Sequence, residues 1–296
     1  MLPGNSEVPK ALGLIARREG NWDESIAYLE QALALDPRNV LLLGFTADTY
    51  TWLRQFPAAL KLYDRALDIT PNDPDVIAAK ASIYQAEGNL QEAAKLLSQV
   101  NVERPSGLAF RIKIIQLRLE RNHGESIRLL QARQAQFHFT SEIEKAVEQL
   151  YLAGTQRLAG DTASAKATAE QARDTLGQLY KNQPDDGNLA APLAVAYAFL
   201  NQKDSALKEA ERAITLFPSA KDALVGPGLE ENMALVEMIT GENSRAISTV
   251  TQLLQTPYAG SIYLVPVTPA LLRLDPLWDP LRADPAFQKL CEEKQP

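Results

Sequence analysis

The chain has 296 residues, 46% hydrophobic and only 7% aromatic, with 37 acidic against 30 basic side chains and a net charge of −7. That acid excess argues against nucleic acid as the main partner. The single cysteine, Cys291, allows no internal disulfide, and two histidines, His123 and His138, make no credible metal set.

From the N-terminus the chain reads as a repeat. Pro37, Pro71 and Pro105 are spaced 34 residues apart, and each closes a segment of the same pattern: WDESIAYLEQALALDP, FPAALKLYDRALDITP and LQEAAKLLSQVNVERP. Twelve residues before each proline lies a small side chain (Ser25, Ala59, Ala93), and eight before it a large one (Leu29, Tyr63, Leu97). Five before it come Ala32, Ala66 and Val100. Apolar residues at three- and four-residue spacing predict an amphipathic helix, which proline ends. A second helix precedes each, over Pro9–Glu19, Val40–Leu53 and Asp75–Glu87, and Gly20 and Gly88 supply left-handed turns between partners. The unit is helix, tight turn, helix.

The period continues with more variation. Repeat four covers about 107–140, with Ser126 and Leu130 in register and His138 in place of the proline. Repeat five covers about 146–179, with Gly160, Ala165, Ala169 and Ala172, its second helix running past Tyr180 and stopping before Pro184. Repeat six (187–220) keeps Tyr197, Ala206, Ala210, Ala213 and Pro218, and repeat seven (227–260) keeps Gly241, Ala246, Val250 and Leu253. Residues 261–296 break the pattern. Prolines at 266, 269, 276, 280 and 285 forbid a long helix, and Leu271, Leu272, Leu277, Trp278 and Phe287 form a hydrophobic cap for the last repeat. We therefore divide the chain into repeats one to four (1–140), repeats five to seven (141–260) and a capping segment (261–296). The spacing slips near 134–145, which leads us to expect 1–140 and 141–296 to melt separately.

A small residue, a large residue, a second small residue and then proline, every 34 residues, resembles the tetratricopeptide repeat. The resemblance implies an all-α, right-handed superhelical solenoid of about seven repeats with a Pro-rich C-terminal cap. It implies a protein–protein interaction scaffold whose first helices line a concave groove through repeat positions 2, 5, 9, 12 and 13. Carried over by register, that rule gives Arg17, Arg18, Trp52, Arg111, Arg118, Arg157 and Phe199 as candidate partner-binding residues. Guanidinium groups pair bidentately with carboxylates, and aromatic side chains are frequent interface anchors. The expected partner is a protein or peptide segment with acidic and apolar side chains.

LLRLDPLWDPLRADPAFQKL, preceded by SAKDALVGPGLEENMALVEMITGENSRAI, is similar to the repeat tail of bacterial multidomain signalling proteins. There the repeats follow a serine/threonine kinase, an adenylate cyclase, or a winged-helix domain with a TolB-like segment. The likeness covers about 160–296 and implies, as an alternative, a regulatory or sensor tail of such a protein. No kinase glycine loop, cyclase core or winged-helix pattern is present. Repeat one starts within a few residues of Met1 without a polar cap, so a further repeat or domain is expected ahead of it.

Catalysis finds no support: no GxSxG, GxGxxG or GxxxxGK[ST] occurs, and Gly226-Pro227-Gly228 is a turn without the lysine of a phosphate loop. No enzyme activity, cofactor or metal is expected. The first residues lack the basic start and apolar run of a signal peptide, and the longest apolar stretch, Leu189–Leu200, contains Pro192 and is too short to span a bilayer. The expectation is a soluble chain without membrane insertion, cytoplasmic, with the periplasm left open for a chain carrying a membrane-anchored head domain. Oligomeric state is left open.

Overall fold

The computed structural model describes residues 5–100, 106–137 and 139–292. Among them are sixteen α-helices and one 3-10 helix, and no strand. Seven helix pairs follow one another: α1 (Glu7–Arg18) with α2 (Trp22–Leu35), α3 (Val40–Trp52) with α4 (Phe56–Ile69), and α5 (Pro74–Glu87) with α6 (Leu90–Leu97). Then come α7 (Gly107–Leu119) with α8 (His123–Gln136), α9 (Glu142–Leu158) with α10 (Thr162–Asn182), α11 (Gly187–Phe199) with α12 (Lys203–Leu216), and α13 (Gly226–Ile239) with α14 (Asn243–Leu253). The C-terminal segment adds α15 (Pro269–Leu274), a 3-10 helix (Pro276–Leu281) and α16 (Pro285–Glu292). This is a helical repeat solenoid. Pro105 and His138, which the sequence places at the ends of repeats three and four, lie outside the described residues. His123 is the first residue of α8.

Local chemistry explains these elements. Asn39, Asp73, Asn89, Asn122, Ser141, Asp161 and Asp186 each accept a backbone N–H of the following helix's first turn, supplying acceptors to donors that the helix cannot satisfy. Within repeat one, α1 and α2 touch at Gly13: a Cβ there would lie 2.8 Å from the Leu29 side chain, and Ser25 Oγ donates to the Gly13 carbonyl at 2.8 Å. The small and large positions of every repeat are buried, including Leu29, Tyr63, Leu97, Leu130, Ala169, Ala210 and Val250.

Every pair turns through one residue in the left-handed region. Gly20, Gly88, Gly160 and Gly241 fill four of these turns, and Arg54, Arg121 and Asn201 fill the other three, all with φ between 57° and 85°.

The chain forms two compact units. The first comprises Met1–Gln116, Pro218–Gly228 and Leu253–Leu271; the second comprises Leu117–Phe217, Leu229–Gln252 and Leu272–Pro296. The C-terminal segment is thus shared between units, and its first part belongs with the N-terminal repeats. Within the second unit, α8 and α9 flank the stretch where the repeat spacing slips. They are joined there by a buried ion pair, Arg133 Nε to Glu148 Oε1 at 2.7 Å, with the Arg133 guanidinium 3.9 Å from the Phe137 ring centroid.

Leu29 is fully buried at the closest approach of α1 and α2. Leu29→Ala should lower unfolding free energy by about 2–5 kcal/mol, the usual cost of a cavity in a core that cannot collapse. Urea unfolding followed by circular dichroism measures it; a loss under about 1 kcal/mol would mean that the pair is loosely packed.

Candidate functional site

In the first unit, the predicted Arg17 and Trp52 come together. The Arg17 guanidinium lies 4.8 Å from the Trp52 ring centroid and 5.9 Å from that of Phe45, and Nη1 donates to Thr49 Oγ1 at 3.2 Å. Burial pushes the Arg17 pKa down to about 10, against the opposing pull of Asp48; it stays protonated at neutral pH. Asp48 accepts a hydrogen bond from Tyr63 Oη at 2.5 Å. Burial raises the Asp48 carboxyl above the usual carboxylate range, more than Tyr63 and Arg17 lower it. Arg18 is paired with Asp222, and the Arg18 carbonyl accepts the Ala223 N–H.

The same unit contains a feature that repeat periodicity does not announce. Residues 254–268 run without helix over the ends of α3 and α5 and over α7. Arg54, in the α3–α4 turn, donates to three main-chain carbonyls of this stretch: Leu253 at 2.8 Å, Thr256 at 2.9 Å and Val267 at 3.1 Å. Arg111 on α7 donates to the Ser261 carbonyl at 3.3 Å, and Thr268 Oγ1 donates to the Ala86 carbonyl at 2.6 Å. Tyr258, Ile262, Tyr263, Val265 and Val267 are all buried, and Leu264, with φ 67°, packs against the Ile77–Leu97–Ile112 cluster. An irregular segment cannot satisfy its own carbonyls, so burying it requires donors from elsewhere. Arg54 and Arg111 are those donors. The C-terminal segment was expected to cover the last repeat. Ser261 Oγ does reach it, donating to the Gly228 carbonyl, but the stretch that contains Ser261 also lies on the first-helix side of repeats two to four.

In the second unit, Arg118 is buried against Asp275, Nε to Oδ2 at 2.9 Å. Next to it, Arg121 meets Asp279 bidentately at 2.7 and 2.8 Å, and Arg282 reaches the same carboxylate at 2.5 Å. Arg121 and Arg282 together hold Asp279 below the usual carboxylate range.

Arg157 and Phe199 differ from the others. Of the five predicted arginines, Arg157 alone has a guanidinium with neither hydrogen bond nor ion pair among the described residues. It is exposed on α9, yet enough of the protein surrounds it to lower its pKa by desolvation, with no carboxylate to restore it. Phe199 at the end of α11 is half-buried against Gly154, whose missing Cβ would lie 3.2 Å from the ring. Gly154 is one turn before Arg157 on α9, so the ring and the cation share one face of α9.

The arginine turns were legible but unread. Arg54 stands 34 residues after Gly20, in the register where glycine is expected. Among the described residues no cluster of three or more His, Cys, Asp or Glu is arranged for a metal ion, and no helix is long and apolar enough to cross a membrane.

Comparison with known proteins agrees with this architecture. Residues 16–83 match the family model of the tetratricopeptide repeat. Of solved structures, a tetratricopeptide repeat protein from Parabacteroides merdae superposes with a TM-score of 0.56 at 19% identity, over 79% of this chain and 85% of that one. The Cut9–Hcn1 hetero-tetramer of the APC/C gives 0.51 at 15% identity, over 73% of this chain and 41% of that one. Human IFIT1, solved as a dimer with m7Gppp-AAAA, gives 0.56 at 15% identity, over 83% and 57%. These likenesses show the fold. The class is that of helical-repeat proteins, whose tetratricopeptide members generally mediate protein–protein interactions.

Two measurements test this arrangement. Arg54→Ala strands three carbonyls of a buried segment and should destabilise by about 2–4 kcal/mol, whereas Arg54→Gly, which also relieves the left-handed turn, should cost about 1 kcal/mol less. Equal losses in urea would show that the turn carries no strain. The second concerns pH. A carboxyl with a raised folded-state pKa favours folding while protonated and loses that contribution as pH climbs past the ordinary carboxylate range. Wild type should therefore lose stability relative to Asp48→Asn as pH rises above about 4, the ordinary carboxylate pKa, by urea midpoint; parallel curves would mean that folding does not raise the Asp48 pKa.

Proposed function

We propose that the chain is a protein-binding scaffold whose partner surface lies on the first helices of the second unit, around Arg157 and Phe199. One observation carries this reading: Arg157 is a partly desolvated cation with no counter-charge among the described residues, whereas the other predicted arginines are engaged by the chain itself. A cation already stripped of some water loses less on meeting a carboxylate, and its planar fork favours a bidentate pair. Phe199 offers an apolar edge on the same face. The matching partner is a peptide segment with an aspartate or glutamate within a few residues of an aromatic or branched aliphatic side chain. Arg17, Arg18, Trp52, Arg111 and Arg118 are then engaged by the chain itself, and the groove of repeats two to four is closed to other peptides by residues 254–268. The net charge of −7 separates this chain from a role like that of the nucleotide-bound IFIT1 neighbour.

Under the alternative reading, drawn from the likeness of residues 160–296 to signalling-protein tails, the same surface engages a linked kinase, cyclase or transcription-regulator head in cis.

Selection from a random peptide display library tests the surface directly. Wild type should enrich acidic–aromatic sequences, and synthetic versions should bind about tenfold or more weakly to Arg157→Glu and to Phe199→Ala, with helicity unchanged. Enriched peptides that bind all three proteins equally would move the site away from α9 and α11. An absence of enrichment would defeat the scaffold reading in favour of a cis-acting tail.

A further inference from the structure

In the second unit, His123 occupies a site that resists a further positive charge. It is the first residue of α8, at the positive end of the helix dipole, two residues after the left-handed Arg121 (φ 58°). Its ring is half-buried, and Nδ1 is sealed from water with no hydrogen-bond partner among the described residues. The carboxylates that could balance an imidazolium belong to the C-terminal segment, and arginines already hold both. Asp275 accepts from Arg118 Nε at 2.9 Å. Asp279 takes the Arg121 fork at 2.7 and 2.8 Å and Arg282 Nε at 2.5 Å. Three guanidinium groups thus meet two carboxylates in this cluster. On α8 itself, the Glu125 carboxylate is spent on Arg128, with both bonds at 2.7 Å.

We propose that His123 is a pH-sensitive latch on the C-terminal segment: its protonation loosens the hold of the α7–α8 turn on residues 275–282. A neutral imidazole tolerates the site because Nδ1 can go without a proton. An imidazolium carries N–H on both ring nitrogens, so Nδ1 becomes a buried donor without an acceptor, beside Arg121 and the helix N-terminus. Burial and then Arg121 push the His123 pKa below the ordinary imidazole value, against the opposing pull of Asp275 and Asp279. The direction follows from linkage. An imidazole whose pKa is lowered while the segment is docked binds protons better once it is released. Docking is therefore fully supported above about pH 6.5, the ordinary value, and weakens as pH falls below it. Asp279, held below the usual carboxylate range, keeps its charge through that window. Undocking separates Arg118 and Arg121 from their carboxylates and exposes Trp278, which is fully buried in the docked segment. None of these residues takes part in the Arg157 and Phe199 surface, so the latch stands or falls apart from the peptide-binding proposal.

Hydrogen exchange of residues 275–282, read by mass spectrometry, tests the latch. His123→Gln measured at each pH is the reference, since it removes the intrinsic exchange rate and every other titration from the comparison. The ratio of wild-type to His123→Gln protection should fall about threefold or more between about pH 7.5 and about pH 5. The same ratio in α11 and α12 should stay flat. His123→Lys, a permanent cation, should show low protection of 275–282 already at about pH 7.5. Circular dichroism confirms that the variants fold. NMR titration of the wild-type imidazole, assigned with His138→Gln, leaves His123 untouched and should give a pKa below about 6.5. A ratio that does not change with pH, a His123→Lys protein as well protected as wild type, or an imidazole that titrates at or above about 6.5 would overturn the proposal.

Discussion

The helix pairs of this chain reverse direction within two or three residues, and one of those residues takes a left-handed backbone, a conformation free to glycine and costly, at about 1–2 kcal/mol, to most other residues. All seven turns here contain such a residue, and the departures from glycine are informative. Arg54 and Arg121 bear the strain because their guanidinium groups, aimed by the turn, take hold of the C-terminal segment. In one unit Arg54 gathers three carbonyls, and in the other Arg121 grips Asp279. Backbone strain that persists where an unstrained residue was available marks a position whose side chain has a task. Here the task is structural: it fixes residues that have no helix of their own.

Filling the first-helix side of repeats two to four changes what the solenoid can do. An open array presents a continuous groove, whereas this chain supplies that part of the groove with its own peptide, sealed by Tyr258, Tyr263 and Val267. Under the scaffold proposal, binding is restricted to surfaces the segment leaves free. Arg111 is spent on the Ser261 carbonyl, whereas the Arg157 guanidinium has no hydrogen bond or ion pair among the described residues.

The repeats were legible because their determinants are local. Ser25 with Leu29, Ala59 with Tyr63 and Ala206 with Ala210 each sit one turn apart, and a 34-residue period repeats the message. Helix bounds such as Val40–Trp52, and the long α10 ending at Asn182, followed from periodicity and proline alone. The fate of residues 254–268 was not legible, because a proline-broken apolar stretch shows that it will be buried but not against what. Arg118 read as a groove residue by position, and nothing near it in sequence names Asp275 as its partner, 157 residues away. Arg157 and Phe199 were found by register, and only the structure separates them from the arginines already engaged.

The bond between Arg54 and the Val267 carbonyl joins residues 213 apart. Most solenoids can consolidate from one end as they leave the ribosome, since each repeat needs only its neighbour. The first unit of this chain cannot. Its early repeats wait, with the faces of α3, α5 and α7 uncovered, until residues 253–271 have been synthesised. Translation of nearly two hundred intervening residues, at about 5–20 residues per second, sets an interval of tens of seconds during which the N-terminal repeats are helical but unsealed. A strictly nearest-neighbour array of equal length has no such interval.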